Sequence, residues 1–166
     1  MMYVIQTKSG CEVTAGDLLR KNGYDIKIPE KLMYIRRKGT WNIEKKLVFG
    51  GYIFLEVAGE VVGEVAPEDY YAIKSTSGVI NFIGRGKPQM LSENECKYIE
   101  WLWNNGKPIE ASKVYVGTDG QKMVMSGPLR RYGGKYASMD IRQRRAKIAV
   151  TICGVIRHIT LPIEII

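Results

Sequence analysis

The chain has 166 residues, of which 45% are hydrophobic and 25% charged, and its formal net charge at pH 7 is +8. This composition is typical of a folded globular protein, and no apolar run approaches the roughly 18 residues that a membrane-spanning helix needs. Three widely spaced cysteines and a single histidine argue against a disulfide framework or a zinc site. We therefore expect no metal, no other cofactor, no membrane partner and a cytoplasmic location.

The first part of the chain predicts short strands interspersed with helices. Strands are predicted at residues 3–7, 24–28, 32–36, 46–57 and 79–83, with Gly50-Gly51 interrupting the fourth. Helices are predicted at residues 12–22, 67–73 and 92–105, the last beginning with a capping box of Ser92 and Glu95. This order favours an α+β domain in which helices flank an antiparallel sheet.

The last part of the chain predicts strands only. Residues 122–159 alternate apolar and polar positions in short runs separated by Gly-Pro and Gly-Gly, a pattern typical of a small all-β barrel. We predict a first domain over residues 1–106, a linker over 107–118 and the barrel over 119–166.

The positive charge is concentrated in this predicted barrel. Residues 1–113 hold 16 Lys/Arg and 14 Asp/Glu, whereas residues 114–166 hold 9 and 3. The predicted RNA-binding residues are the basic ones in and beside two loops, namely Arg130, Arg131, Arg142, Arg144, Arg145 and Lys147. Arginine suits this role because its planar fork donates two hydrogen bonds to one phosphate. Tyr132 and Tyr136 interleave with these charges and are candidates either for base stacking or for the barrel core, and for Tyr136 the core is favoured.

Four motifs resemble those of the NusG family of transcription factors. Residues 3–12 resemble its opening strand, glycine turn and helix start, and residues 46–54 resemble its FFPGY strand. Residues 79–84 are similar to its V-x-x-F-I-G segment, and residues 125–129 followed by Gly134 resemble the core of a KOW motif. The motifs keep the family order over nearly the whole chain.

The resemblance implies an α+β NGN domain, with an antiparallel sheet flanked by helices, followed by a small SH3-like KOW barrel. The NGN domain is expected to bind the clamp helices of RNA polymerase through an exposed apolar patch that includes Tyr3, Phe49 and Tyr52. From the strand pattern alone, these aromatic residues are core residues. The basic hairpin around Trp41 is either a solvated hairpin or a contact to non-template DNA.

Two departures favour a specialised paralog resembling LoaP, acting as a processive antiterminator that binds a nascent RNA hairpin. Cys153 stands where housekeeping members carry an aromatic residue that helps to bind ribosomal protein S10 or Rho, and the loops carry unusually many arginines. One alternative is a housekeeping NusG that binds S10 or Rho, and another is a ribosome-associated KOW protein that binds RNA. We find no catalytic arrangement of side chains in the sequence and expect a protein that is not an enzyme.

Overall fold

The structure is a computed structural model, which describes residues 1–58, 65–131 and 136–166. The chain divides into two compact units. The first unit comprises Met1–Ile28, Phe49–Trp101 and Ile152–Val155, and the second comprises Pro29–Val48, Leu102–Thr151 and Ile156–Ile166. These units do not follow the predicted boundary at residue 106, because residues 29–48 group with the C-terminal part of the chain.

The elements up to residue 103 are, in chain order, β1 (Met2–Thr7), α1 (Glu12–Lys21), β2 (Asp25–Lys27), β3 (Glu30–Arg37), β4 (Thr40–Leu47), β5 (Tyr52–Glu56), α2 (Pro67–Lys74), β6 (Val79–Phe82) and α3 (Glu93–Trp103). The later elements are β7 (Ser112–Val116), β8 (Lys122–Ser126), α4 (Pro128–Arg131), β9 (Tyr136–Asp140), β10 (Arg145–Ile152) and β11 (Val155–Ile165). Within the described ranges, no helix is long and apolar enough to cross a membrane.

In the first unit, four strands form an antiparallel sheet in the order β2-β5-β1-β6. Strand β1 lies in the middle, with Ile5 opposite Ile53 on one side and Phe82 on the other. A strand that has neighbours on both sides and little exposure is expected to be almost entirely apolar. The first four residues of β1, Met2–Ile5, fit this expectation. Helix α1 packs on β2 and β5 and buries Ala15 and Leu19 completely. The predicted antiparallel sheet with helices is therefore confirmed.

The capping box predicted for α3 is also confirmed. The backbone N–H of Glu95 donates to Oγ of Ser92 at 3.2 Å, and Oε1 of Glu95 accepts from the backbone N–H of Ser92 at 2.9 Å. The second carboxylate oxygen of Glu95 accepts from the backbone N–H of Gly154, at 3.0 Å. This carboxylate therefore holds both the start of α3 and the turn between β10 and β11.

The buried carboxylate of Glu12 fixes the glycine turn that precedes β5. Its Oε1 accepts from the backbone N–H of Gly51 at 2.8 Å and from that of Gly10 at 3.3 Å. Gly51 has φ +81°, and its carbonyl accepts from the N–H of Thr7 at 2.9 Å. Burial by itself raises the pKa of Glu12, but the N–H groups around the carboxylate outweigh burial and lower this pKa below its usual value.

The same turn corrects the prediction of one strand over residues 46–57. Strand β4 ends at Leu47 and pairs with β3, whereas β5 begins at Tyr52 and belongs to the four-stranded sheet. The positive φ of Gly51 redirects the chain between the two. Strands β3 and β4 form a hairpin whose tight turn, Lys38-Gly39, has positive φ at both residues, as type I′ turns require.

In the second unit, a five-stranded sheet has the order β8-β7-β11-β10-β9. Strand β7 begins at Ser112, so part of the segment predicted as a linker over residues 107–118 is a strand. The alternation of Ser112 and Val114, both completely buried, with exposed Lys113 and Tyr115 is a strand pattern that the sequence already contains.

The strands-only prediction for the C-terminal part misses the single-turn helix α4. Leu129 in this helix is completely buried, and its backbone N–H donates to Oγ of Ser112 at 3.0 Å. Gly127 precedes the helix with φ +100°, and a Cβ there would lie 2.7 Å from Cα of Ser112. Only glycine allows this close approach, which brings α4 onto the start of β7.

A buried lysine joins the hairpin to the C-terminal sheet within the second unit. Nζ of Lys31 in β3 donates to the carbonyl oxygen of Thr160 at 2.7 Å and to its Oγ1 at 2.8 Å. Lys31 is 7% exposed. Burial, and then the nearby positive charge of Arg145, lower the pKa of Lys31 to about 8. The backbone N–H of Leu32 also donates to the carbonyl of Ile109, at 2.8 Å.

We expect the stability of the protein to rise with pH through Lys31. Above its lowered pKa of about 8 the folded chain releases the Lys31 proton, whereas the unfolded chain keeps this proton up to its usual value of 10.5. The unfolding free energy of the wild type should therefore gain about 3 kcal/mol over that window relative to Lys31→Met. Urea unfolding of both proteins across this pH range measures the difference, and a constant difference would contradict the assignment.

The Glu12 turn gives a pH dependence at the acidic end of the range. Glu12→Gln is expected to lower the unfolding free energy by about 1 kcal/mol at neutral pH, because a neutral amide oxygen is a weaker acceptor than a carboxylate. The stabilisation from the carboxylate is fully present above the unfolded pKa and is lost as the pH falls through the lowered folded pKa. Urea unfolding at neutral and acidic pH should show the two proteins converging in acid; a gap that persists unchanged would refute this role.

Candidate functional site

The three aromatic residues predicted to form an exposed patch are mostly buried. Tyr3 is 0% exposed and Phe49 is 5% exposed, whereas Tyr52 is partly exposed. Tyr3 lies opposite Leu55 in the central strand, and Phe49 packs edge-to-face on Phe54 with 5.3 Å between ring centroids. The expected exposure is therefore wrong for Tyr3 and Phe49, which are core residues as the strand pattern indicates.

Tyr52 begins a polar row across the sheet of the first unit. It lies opposite Gln6 in β1, and Gln6 lies opposite Asn81 in β6. Because directly opposite residues project to the same face of a sheet, these three side chains share one face. Gln6 is half-buried and Asn81 is exposed, so this row is accessible to a partner.

Two of the predicted RNA-binding arginines line a cavity in the second unit. Arg142 and Arg144 lie in the turn between β9 and β10, and the cavity has a volume of about 500 Å³. We call it the arginine pocket, and its lining residues are Arg36, Trp41, Ile141, Arg142, Arg144, Glu164 and Ile165. Within the described part of the chain, Glu164 is the only acidic residue of this lining. Among the described residues, none of the three arginines forms an ion pair.

Arg144 is held from two directions. The guanidinium carbon Cζ lies 4.4 Å from the ring centroid of Trp41 and 5.4 Å from that of Tyr34, both within the range of cation–π attraction. Its backbone has φ +56°, and its carbonyl accepts from the N–H of Ile163 at 3.0 Å. A non-glycine residue with this φ is uncommon, and here the neighbouring strand holds it in place.

Arg145 and Lys147 lie on β10 and not in the turn. Arg145 is the first residue of β10, lies opposite Asp140 of β9 in the strand register and is half-buried. Burial is the main cause of the lowered pKa of Lys31, and the positive charge of Arg145 is the second cause. Lys147 lies opposite Ser138 and is exposed. The expected triplet in one loop is thus a pair in the turn followed by a strand residue.

Arg130 and Arg131 lie in α4, and both are exposed. Nη1 of Arg130 donates to the carbonyl of Met125 at 2.8 Å. The helix meets β7 at Ser112, and Ser112 lies opposite Ile163, whose N–H binds the carbonyl of Arg144. The two arginine groups are therefore attached to one end of the same sheet. Tyr132 and Gly134 lie outside the described residues, and only the backbone of Tyr136 is described.

The residues that sequence reasoning did not assign to this site come from the hairpin. Arg36 lies directly opposite Trp41 in the hairpin register, so both side chains project to the same face. The sequence signal for them is Trp41 within a run of cations, which indicates either a solvated hairpin or a DNA contact. Most of the other hairpin cations are neutralised: Arg37 and Lys46 pair with Glu44, and Lys45 pairs with Glu30.

The turn between β10 and β11 consists of Cys153 and Gly154, both with positive φ. Val155 and Ile156, which follow it, are 53% and 65% exposed. The three cysteines of the chain, all within the described ranges, form no disulfide bond. Over the described residues, no group of three or more His, Cys, Asp or Glu side chains is arranged to hold a metal ion.

Comparisons with known proteins point to one family. The family described as "Transcription termination factor nusG" matches residues 2–100. Proteins called "Transcription termination/antitermination protein NusG" are similar over most of the chain. The one from Borreliella burgdorferi is 30% identical over 92% of this chain and 89% of its own length. That from Helicobacter pylori strain J99 is 27% identical over 99% of this chain and 93% of its own length.

A solved structure of Thermotoga maritima NusG resembles this one with a TM-score of 0.57, covering 98% of this chain and 93% of that chain. Its sequence identity is 23%, so the likeness concerns the fold. Together with the family match to more than half of the chain, these relatives establish what the four sequence motifs indicated. The chain belongs to the NusG family of transcription termination/antitermination factors.

Proposed function

We propose that this chain is a specialised NusG-family factor of the LoaP kind, a processive antiterminator that binds RNA polymerase and a nascent RNA hairpin in the cytoplasm. The first unit contacts polymerase, and the second unit, which holds most of the KOW-like residues 119–166, contacts RNA. Because both contacts belong to one chain, each raises the local concentration of the other, which increases avidity by roughly 100-fold or more.

The arginine pocket is the observation that carries the RNA-binding part of this proposal. Arg36, Arg142 and Arg144 face one cavity, with a single carboxylate among its described lining residues. Like charges gathered in this way are unfavourable unless an anion neutralises them. Arginine without a carboxylate partner keeps its donors available for phosphate oxygens.

The other predicted RNA contacts extend this surface. Arg130, Arg131 and Lys147 are exposed and suit phosphates along the RNA backbone. Arg145 contributes less, because it is half-buried beside Lys31. Lys38 at the hairpin tip is exposed and is the hairpin residue that we propose for contact with non-template DNA.

For RNA polymerase, we propose that its clamp helices bind the sheet of the first unit on the face of Tyr52, Gln6 and Asn81. Tyr3 and Phe49 support this face from the core, since Tyr3 lies in the same strand as Gln6 and Phe49 precedes the glycine turn before Tyr52. A partly exposed tyrosine with polar neighbours is the composition that protein interfaces favour.

A housekeeping role with ribosomal protein S10 or Rho is the second candidate, and one observation favours it. Val155 and Ile156 are exposed apolar residues directly after the Cys153-Gly154 turn. Cys153 buries less area than the aromatic residue of housekeeping members, and losing an anchor of that kind costs about 2 kcal/mol or more at a hot spot. We therefore place RNA, and not these proteins, as the partner of the C-terminal part.

The RNA contact is tested by reversing charge in the pocket of the full chain. Arg142→Glu with Arg144→Glu is expected to weaken binding of a fluorescein-labelled hairpin RNA by at least about tenfold, because two phosphate contacts are replaced by repulsion. The dependence of affinity on salt should also become shallower, by about 0.7–0.9 in the log–log slope for each phosphate that the variant no longer neutralises. Fluorescence anisotropy over a range of salt concentrations measures both effects.

The matched control reverses two exposed lysines of the first unit, Lys21→Glu with Lys97→Glu, which changes the net charge by the same amount. This control should bind RNA nearly as the wild type does. Equally weakened binding in both double variants would show that net charge alone explains the effect, which would contradict a specific role of the pocket. Absence of RNA binding by the wild type would overturn the proposed function.

The polymerase contact is tested by Tyr52→Ala. Removing this ring is expected to reduce co-purification with RNA polymerase several-fold, since truncating an aromatic interface anchor costs about 1–2 kcal/mol or more. Tyr71→Ala is the matched control, because Tyr71 is 69% exposed on α2 of the same unit and lies outside the proposed face. Equal recovery of the two variants would remove Tyr52 from the interface.

A further inference from the structure

We infer that the β3–β4 hairpin supplies half of the RNA-binding pocket. Trp41 and Tyr34 hold the Arg144 guanidinium over their rings as a preformed fork, and Arg36 joins Arg142 and Arg144 to complete a three-arginine site for an RNA phosphodiester. This inference rests on the proposed RNA-binding function and assigns to it residues that lie outside the predicted KOW segment.

Two aromatic rings of the hairpin restrict the orientation of the Arg144 guanidinium. A guanidinium carries its N–H donors in its own plane, so stacking the plane on an indole ring leaves the donors directed outward from the edge. Arg144 lies against Trp41 at 4.4 Å and near Tyr34 at 5.4 Å, and its backbone is tied to Ile163. A long side chain fixed at both ends loses less conformational entropy when it binds an anion.

The hairpin contributes one arginine, Arg36, to the lining of the pocket. Arg36 lies opposite Trp41, and both line the pocket. The adjacent Arg37 has the opposite position in the alternation and is held by Glu44, with its Nε 2.5 Å and its Nη2 2.8 Å from the carboxylate oxygens. Two neighbouring arginines of one strand thus differ in availability, and Arg36 is the one whose donors are available to the pocket.

Hydrogen bonds keep the hairpin in place within the second unit. Lys31 donates two hydrogen bonds to Thr160 of β11, and Leu32 donates a backbone hydrogen bond to Ile109. These contacts lie near the base of the hairpin, and the Arg144–Trp41 contact lies near its tip. The hairpin is therefore anchored within the second unit at both ends, which makes Arg36 and Trp41 fixed parts of the pocket.

The charge of the site selects the class of ligand. Three guanidinium groups and one carboxylate leave a net charge of +2 among the described pocket residues, and the segment 114–166 has an excess of six basic residues. A chain of phosphates neutralises such a surface and releases counterions on binding. A cavity of about 500 Å³ admits a backbone phosphate together with its nucleoside.

RNA affinity of Trp41 variants tests whether the aromatic face of Trp41 matters or only its side-chain volume. The affinity is measured with the full-length protein and the labelled hairpin RNA. Trp41→Phe keeps a ring face and should bind RNA within about twofold of the wild type. Trp41→Leu fills similar apolar space without a ring face and should bind about fivefold more weakly, which equals about 1 kcal/mol. If Leu preserves affinity as well as Phe does, Trp41 only packs and its positioning role is refuted.

Arg36→Gln and Arg37→Gln form the second matched pair, since each removes one positive charge from the same strand. Arg36→Gln should weaken binding several-fold and reduce the salt slope by about 0.7–0.9, as expected for one phosphate contact, whereas Arg37→Gln should leave the slope unchanged. Equal effects of the two substitutions would overturn the assignment of Arg36 to the pocket.

The outcomes distinguish this inference from the proposed function. If the Arg142→Glu with Arg144→Glu variant fails to bind RNA but the Trp41 and Arg36 variants bind it normally, the C-terminal part binds RNA without the hairpin and only the inference fails. If the wild type does not bind the RNA, both fail. Polyglutamate serves as competitor: displacement of the RNA at an equal concentration of charge would show a site for acidic polypeptides and would overturn the nucleic-acid assignment.

Discussion

The contact between the Arg144 guanidinium and the Trp41 ring joins the two parts of the second unit that we propose to bind RNA. Arg144 belongs to the turn between β9 and β10, and Trp41 belongs to a hairpin that lies far earlier in the chain. A cation–π contact of this kind contributes about 0.5–2 kcal/mol, which is too little to hold a hairpin alone. Its importance lies in orientation, because it directs an arginine fork into a cavity that two further arginines share.

That contact depends on hydrogen bonds deeper in the molecule. Lys31, near the base of the hairpin, donates a hydrogen bond to the carbonyl of Thr160. Burial, and to a lesser extent the charge of Arg145, lowers the pKa of Lys31 to about 8. A buried amine of this kind costs stability at neutral pH, yet it fixes the position of β3 against β11. In the first unit, the carboxylate of Glu12 fixes the glycine turn that leads into β5. Both units thus use a buried charged group, satisfied by neutral acceptors or donors, to place the strand that carries a proposed contact.

Local pattern predicted the antiparallel sheet, its helices and the capping box, because apolar periodicity and capping residues act over a few positions. The same reasoning missed that β4 and β5 belong to different sheets, since strand partners depend on contacts between distant residues. It placed Arg142 and Arg144 correctly in one loop, but it did not find Arg36 or Trp41 as their neighbours. Tyr3 and Phe49 show the reverse error, in which family position suggested exposure and the fold buried them. The sequence therefore located the arginine turn, and only the tertiary structure shows that Arg36 and Trp41 of the hairpin line the same cavity.

The most direct test of this account is nuclear magnetic resonance of the full-length protein during titration with the hairpin RNA, following the Arg144 Nε–H and the Trp41 indole N–H signals. Trp41→Phe assigns the indole signal by its disappearance. We predict that both signals move together and reach saturation at the same RNA concentration, because the ring and the guanidinium form one site. If the Arg144 signal moves while the Trp41 signal stays in place, RNA binds the turn without the hairpin, and a joint site of Arg144 and Trp41 is contradicted.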